Sequence, residues 1–223
     1  MEMNDLTWLE DTLKGFPERG VALYVRAATR YRGPKGRVKD ASSELTQAGR
    51  GLSRDFGTLL KGQLAGVVSA PGKTSVETAR CILEGADISS ATLQEDDGIG
   101  DPSLYVRNVM LLEQEIGELS PDVARDALLT GILRERAAWA AEDPRTAAQT
   151  IQAKLVAAIR PGKVALFVAP SVAIAATVGF ALGLEASFGH ADCPTTLEGA
   201  VIFHAADGNV WFRMGSHDGR SVL

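Results

Sequence analysis

Three short stretches of the sequence are almost wholly apolar and rich in β-forming residues, and they constrain the fold more than any other feature. They are Val21–Arg26 (VALYVR), Leu64–Ser69 (LAGVVS) and residues 163–169 (KVALFVA). A strand that is covered on both faces is a nearly continuous apolar run, whereas a strand with one face in water alternates. We therefore predict a mostly parallel sheet with helices on both of its faces.

The segments between these stretches carry signals for helix starts. Thr46 is the predicted N-cap of a helix that continues to about residue 60, and residues 74–83 are predicted to form another helix. Pro121 follows Ser120, and Pro144 follows Asp143. A capping residue directly before a proline is typical of a helix start, so two further helices are predicted to begin there. Strands and helices together predict an α/β fold, a three-layer α/β/α sandwich that forms a single domain over residues 1–223.

The end of the chain predicts a different pairing of strands. Residues 200–205 and 210–214 flank Asp207-Gly208-Asn209, a sequence typical of tight turns, so a closing antiparallel hairpin is predicted. His204 falls in this hairpin and is predicted to be structural. His217 lies beyond it in a tail rich in glycine and serine, and we predict that it is solvated.

Residues 164–184 contain no charged residue, and a stretch of this length could span a bilayer. Pro170 removes a helical hydrogen bond inside the stretch, so a buried strand, a turn and a buried helix are predicted instead. Residues 1–13 are acidic and lack the basic start and the apolar run of a signal peptide. We expect a cytoplasmic protein that does not bind membranes.

Charge and cysteine content exclude several kinds of partner. The chain of 223 residues has a net charge of -5, which disfavours nucleic acid as a ligand. Its two cysteines, Cys81 and Cys193, form no C-x-x-C pair, so we expect no disulfide, no metal and no other cofactor. Cys81 is predicted to lie in the core, and Cys193 has no visible neighbour that would lower its thiol pKa.

A basic segment begins where the first predicted strand ends. It contains no acid, and its six basic residues are Arg26, Arg30, Arg32, Lys35, Arg37 and Lys39. Because ligands of open α/β sheets bind at the carboxyl ends of strands, the segment is predicted to bind an anion. The alternative is a solvated loop kept mobile by Gly33, Pro34 and Gly36. Arg26 favours binding, since it follows a buried strand directly.

Several short motifs follow one another along nearly the whole chain. They are residues 23–30 (LYVRAATR), 45–50 (LTQAGR), 69–79 (SAPGKTSVETA), 100–102 (GDP), 164–184 (an apolar strand, Pro170 and an apolar helix) and 197–200 (LEGA). Their order and spacing resemble the histidine phosphatase superfamily, also called phosphoglycerate mutase-like proteins. The resemblance implies the phosphoglycerate mutase-like α/β fold.

In the family that this chain resembles, one histidine attacks phosphorus, two arginines and a second histidine surround the phosphoryl oxygens, and an acid protonates the leaving group. At the matching positions this chain has Ala27 for the first histidine, Thr74 for the second arginine and Pro170 for the second histidine. We call these three the vacated positions; of the family's four groups, Arg26 alone matches. The resemblance therefore implies that the route through a phosphorylated histidine is unusable, because it needs a nucleophile and positive charge.

Other residues are candidates to serve the vacated site. Glu95 and Asp101, with Asp96 and Asp97, occur where the family often has its acid, although such acids more often lie in a solvated loop. Lys73 adjoins the vacated arginine position and is otherwise a solvated lysine. Ser171 is predicted at a helix N-terminus, where it favours an anion or acts as N-cap. The candidate catalytic residues are Glu95, Asp101 and His190, and the candidate ligand-binding residues are Arg26, Arg30, Lys73, Thr74 and Ser171.

Three functional hypotheses follow. In the first, the fold retains an anion-binding pocket for a small ligand or partner and performs no phosphoryl transfer. In the second, a repurposed enzyme uses this pocket for acid–base chemistry on a carboxylated or phosphorylated metabolite. In the third, the protein is a weak phosphatase that uses water and an acid. We expect a small anionic ligand, and the sequence is compatible with a homodimer.

Overall fold

The computed structural model describes residues 6–15, 18–30, 44–117, 119, 121–134, 138–141 and 143–223. Within them, seven strands form one mixed sheet in the order β3-β2-β4-β1-β5-β6-β7. The predicted α/β fold is confirmed, and the three apolar stretches are neighbouring strands. The strands are β1 Val21–Arg26, β2 Leu64–Ser69, β3 Gln94–Glu95, β4 Val164–Ala169, β5 Gly199–His204, β6 Val210–Met214 and β7 His217–Arg220.

Helices cover both faces of the sheet. Since successive side chains of a strand point to opposite faces, each buried strand contributes to two separate apolar layers. Ala22 and Tyr24 of β1 pack with residues of α5, α6 and α7, whereas Leu23 and Val25 pack with residues of α1, α2 and α3. The helices are α1 Thr7–Gly15, α2 Gln47–Leu59, α3 Lys73–Gly85, α4 Val109–Ile116, α5 Pro121–Leu133, α6 Pro144–Ala157 and α7 Ser171–Leu182.

The strand directions bring three strand ends together. β4 pairs in parallel with β1 on one side and with β2 on the other. Arg26 ends β1 opposite Ala169, which ends β4, and Ser69 ends β2 opposite Val168. We call this side of the sheet the carboxyl edge. β5 pairs antiparallel with β1, and the predicted β5–β6 hairpin is confirmed.

Several local predictions are confirmed. Thr46 caps α2, and its Oγ1 accepts the N–H of Gly49 at 2.9 Å. Asp143 caps α6 in the same way by accepting the N–H of Thr146. The uncharged stretch divides into β4 and α7 at Pro170. In the described parts of the chain, no helix is long and apolar enough to cross a membrane.

The prediction of a solvated tail around His217 is wrong. Residues His217–Arg220 form β7, which pairs with β6. His217 is half-buried, its Nε2 lies 2.7 Å from Asp192 Oδ1, and its ring centre lies 4.9 Å from that of Phe188. The segment has no apolar pattern of its own, so pairing with β6 and these long-range contacts stabilise the strand. The sequence patterns also do not predict α1, α4 or the short β3.

Candidate functional site

Two of the vacated positions lie side by side at the carboxyl edge. Ala27 follows β1 and Pro170 follows β4, which are paired strands. The Ala27 N–H donates to the Ala169 carbonyl across 3.3 Å. Ala27 is half-buried and Pro170 is exposed. This part of the edge is therefore accessible to a ligand.

Thr74, the third vacated position, lies in the first turn of α3, which begins shortly after β2 at the same edge. One turn later, the fully buried Thr78 connects this helix to the loop after β1. Its Oγ1 accepts the N–H of Ala28 at 3.0 Å and donates to the Thr74 carbonyl at 2.7 Å. All three vacated positions therefore belong to the carboxyl edge.

Arg26 is held firmly at this edge. Its N–H donates to the Glu198 carbonyl at 2.8 Å, and its own carbonyl accepts the N–H of Leu197 at 3.2 Å. Its Nη1 donates to the Pro194 carbonyl at 3.1 Å. A guanidinium carries five N–H donors in a planar fork. The half-buried Arg26 thus has a fixed backbone and a head group that suits a multidentate anion.

Two helices begin at the carboxyl edge without a side-chain cap. The N-cap of α3 is Gly72 and that of α7 is Pro170, and neither supplies a side-chain hydrogen bond. The first N–H groups of a helix lack partners within the helix and carry partial positive charge, so both starts favour an anion. Ser171 is the first helical residue and half-buried, so the alternative in which it is the N-cap is wrong.

No protein-family profile and no curated protein matches the sequence. A mycobacterial glucosyl-3-phosphoglycerate phosphatase, solved with VO3, matches with a TM-score of 0.58 and 18% identity, covering 90% of this chain and 99% of its own. A phosphoglycerate mutase from Bacillus anthracis str. Sterne matches with a TM-score of 0.56 and 15% identity over 92% and 95%. A histidine-to-alanine variant of the Entamoeba histolytica phosphoserine phosphatase, in complex with phosphoserine, matches with a TM-score of 0.62 and 14% identity over 89% and 95%.

This chain has the histidine phosphatase fold. The resemblance inferred from the order of the motifs is thereby confirmed at the level of architecture. Identities this low show a shared fold alone, so the chemistry of the site has to be argued from the residues of this chain.

The basic residues near the edge of this histidine phosphatase fold are in different surroundings. Lys73 is half-exposed, and its Nζ lies 3.3 Å from the Glu44 carboxylate. Arg30 lies beside the start of α2, where it forms an isolated antiparallel bridge with Leu45. The predicted anion-binding residues Arg32, Lys35, Arg37 and Lys39 lie outside the described residues.

Arg50, from the LTQAGR motif, forms part of the scaffold. It contacts the Glu77 carboxylate of α3 at 2.6 Å, and the same carboxylate accepts the N–H of Leu45 at 2.9 Å. The motif therefore joins the start of α2 to α3.

The candidate acids lie at the carboxyl edge on the β2 side. Glu95 is exposed at the end of β3 opposite Ser69. Asp101 is half-buried, and its Oδ1 accepts the N–H of Ser103 at 2.8 Å. Asp96, beside them, contacts Lys154 at 2.7 Å and belongs to the scaffold.

The segment that carries these acids is fixed to the sheet. Tyr24 donates its hydroxyl proton to the Ile99 carbonyl, and burial raises the pKa of Tyr24 well above its usual value. A Cβ added to Gly100 would lie 2.9 Å from Pro170 Cδ and 3.0 Å from Ala169 Cβ. The backbone of Gly100 thus packs directly against a vacated position.

The remaining candidate, His190, lies in a short 3-10 turn before Cys193. Its side chain is outside the described part of the structure. Among the described residues, no group of three or more histidine, cysteine, aspartate or glutamate side chains could hold a metal ion.

A cavity of about 420 Å³ adjoins the carboxyl edge. Its walls come from α1, the loop before β5, and strands β5 to β7, and they include Trp8, Cys193, Pro194, Arg213 and His217. Ala27, Thr74 and Pro170 do not line it. The cavity meets the candidate site at the loop before β5, where the Pro194 and Glu198 carbonyls both accept hydrogen bonds from Arg26.

We expect both thiols of the folded protein to react slowly with an aromatic disulfide reagent at about pH 8, because only a thiolate attacks a disulfide. Cys81 and Cys193 are buried, and burial raises the pKa of Cys81 and raises that of Cys193 to about 11. The absorbance of the thiolate released from the reagent should correspond to two thiols per chain only after the protein is denatured. Rapid labelling of Cys193 in the folded protein would contradict the low reactivity that its raised pKa predicts.

Thr78 is the residue of this site that the sequence analysis did not single out. It lies in the motif of residues 69–79, and a threonine inside an amphipathic helix gives no local sign of a role. Only the contact with Ala28, which lies 50 positions away, distinguishes it.

Proposed function

We propose that this protein binds a small anionic ligand at the carboxyl edge of a histidine phosphatase fold and does not transfer a phosphoryl group through histidine. The arrangement of Ala27, Thr74 and Pro170 at one edge carries this proposal. The Ala27 methyl group cannot attack phosphorus, the Thr74 hydroxyl donates one hydrogen bond without a charge, and Pro170 donates none.

Three features support retained anion binding. Arg26 emerges from a buried strand with a fixed backbone, and the uncapped starts of α3 and α7 lie at the same edge. Arginine and helix N-termini are the groups that proteins use for phosphate and carboxylate ligands. The Entamoeba phosphoserine phosphatase variant lacks a histidine and still forms a complex with phosphoserine. Loss of a histidine is therefore compatible with ligand binding in this fold.

A second candidate is a repurposed enzyme in which a carboxylate at the edge acts as acid or base on a carboxylated or phosphorylated metabolite. The half-buried Asp101, fixed by its bond to Ser103, is the observation that favours it. Under this alternative, Asp101→Asn should abolish turnover of such a metabolite and leave its binding intact. Under the binding proposal, the ligand is recovered unchanged.

We expect orthophosphate to raise the melting temperature of the purified protein in a saturable manner, because a ligand that binds only the folded state stabilises it. A radiolabelled phosphatase substrate should leave no base-stable, acid-labile phosphate on the chain. Ala27→His should remain unlabelled, since Thr74 and Pro170 still lack the groups that stabilise the transferred phosphoryl. Label on the wild-type chain, or rapid turnover by Ala27→His, would overturn the proposal.

A further inference from the structure

We propose that Thr78 is a positioning residue whose buried hydroxyl holds the loop after β1 and the first turn of α3 at the separation that an anion requires. This inference rests on the proposed function, because it concerns the same site. Thr78 lies beneath the site and is not expected to touch the ligand.

The hydroxyl of Thr78 makes two bonds in a fully buried place. Its proton goes to the Thr74 carbonyl at 2.7 Å, and its oxygen accepts the N–H of Ala28 at 3.0 Å. Thr78 has no exposed surface and Ala28 is 4% exposed. Water therefore cannot replace either bond without a change in the structure.

The bond to Ala28 fixes the backbone at a vacated position. A peptide group is planar and trans, so directing the Ala28 N–H toward Thr78 also directs the Ala27 carbonyl the opposite way. The preceding peptide is fixed as well, since the Ala27 N–H donates to the Ala169 carbonyl. The position of the Ala27 methyl group is thus set from both sides, by β4 and by α3.

The bond to the Thr74 carbonyl fixes the first turn of α3. We call this turn and the loop after β1 the two walls of the site. Thr74 belongs to the first turn of α3, whose N-terminal N–H groups form one side of the proposed anion site. Arg26, directly before the fixed loop, forms the other side. An anion that bridges the two walls depends on their separation, and the Thr78 hydroxyl is the contact that spans it.

The test compares orthophosphate affinity by calorimetry in the wild type, Thr78→Val, Thr78→Ser and Thr177→Val. Valine has the shape of threonine without the hydroxyl, and serine keeps the hydroxyl. Thr177 is a matched control: it is fully buried in α7, donates to the Ala173 carbonyl at 2.8 Å and shares a hydrogen bond with Tyr105 at 3.1 Å. Both valine variants therefore lose buried hydrogen bonds, and of the two residues Thr78 is the one that bonds the loop after β1.

We expect Thr78→Val to raise the Kd for orthophosphate about tenfold, the factor that corresponds to one net hydrogen bond. Thr78→Ser and Thr177→Val should stay within about twofold of the wild type, because neither moves the two walls. Wild-type affinity in Thr78→Val would overturn the positioning role and leave the proposed function in place. A wild-type protein that binds no phosphate would instead overturn the proposed function, and this inference with it.

Hydrogen exchange gives a second measurement if Thr78→Val does not fold. Phosphate should slow exchange of the Ala28 amide in the wild-type protein, because a ligand held by both walls opposes local opening between them. Exchange at Ala28 that saturating phosphate leaves unchanged would overturn the positioning role.

Discussion

Replacing Gly57 with alanine should lower the free energy of unfolding by about 3 kcal/mol, because the added methyl group has no space. A Cβ at Gly57 in α2 would lie 2.0 Å from the Ile82 carbonyl oxygen of α3. The contact is reciprocal, since a Cβ at Gly85 in α3 would lie 2.0 Å from the Arg54 carbonyl oxygen of α2. The two helices cross with their backbones in contact, so a methyl group on either one separates them.

Gly51→Ala is the matched control in the same helix. A Cβ at Gly51 meets nothing within 4 Å, and alanine is a better helix former than glycine by up to about 1 kcal/mol. We therefore expect Gly51→Ala to be as stable as the wild type or more stable in urea unfolding. Gly57→Ala should melt about 6–12 °C lower, and a wild-type melting temperature would contradict the close crossing.

Replacing Arg26 with alanine should raise the Kd for orthophosphate about 10-fold to 100-fold, because hydrogen bonds from a guanidinium to an anion are charge-assisted. By their place in the motifs, Thr74 and Pro170 match positions where the family that this chain resembles has an arginine and a histidine, and neither side chain carries the positive charge that Arg26 does. Titration calorimetry or the phosphate-dependent shift in melting temperature measures the change. Unchanged affinity would remove Arg26 from the site.

Two further variants separate charge from geometry. Arg26→Lys keeps the charge and loses the planar fork, so its affinity should fall between those of the wild type and Arg26→Ala. Arg54→Ala removes a cation from the solvent side of α2, where its partner is Glu84. Arg54→Ala should bind phosphate like the wild type. A loss of affinity as large as that of Arg26→Ala would show that the net charge of the protein, and not the site around Arg26, governs phosphate binding.

Local signals explain why much of this fold is predictable from the sequence. The cap at Thr46 and the division of residues 164–184 at Pro170 depend on neighbours within a few positions of the chain. The apolar runs of β1 and β4 likewise reflect strands that are buried on both faces, whereas the run of β2 leaves Ala65 exposed and Gly66 and Val68 partly exposed. The absence of histidine, arginine and histidine at the three vacated positions can be read directly, and the structure adds that these positions belong to one edge.

Long-range contacts explain what the sequence does not reveal. β7 has no apolar pattern, and it forms because β6 is available for pairing and because Asp192 meets His217. In the sequence, Gly57 and Gly85 are two ordinary glycines within helices. Their role in the close crossing is visible only where α2 and α3 pack together.

The sequence by itself determined β1, β2, β4, the closing hairpin, most of the longer helices and the α/β class, because each depends on residue type and on near neighbours. Only the tertiary structure decided the order of the strands, the separation of the 420 Å³ cavity from the vacated positions, and the link from Ala28 through Thr78 to Thr74. These depend on atoms that are far apart along the chain and meet only after the sheet and its two helical layers have formed.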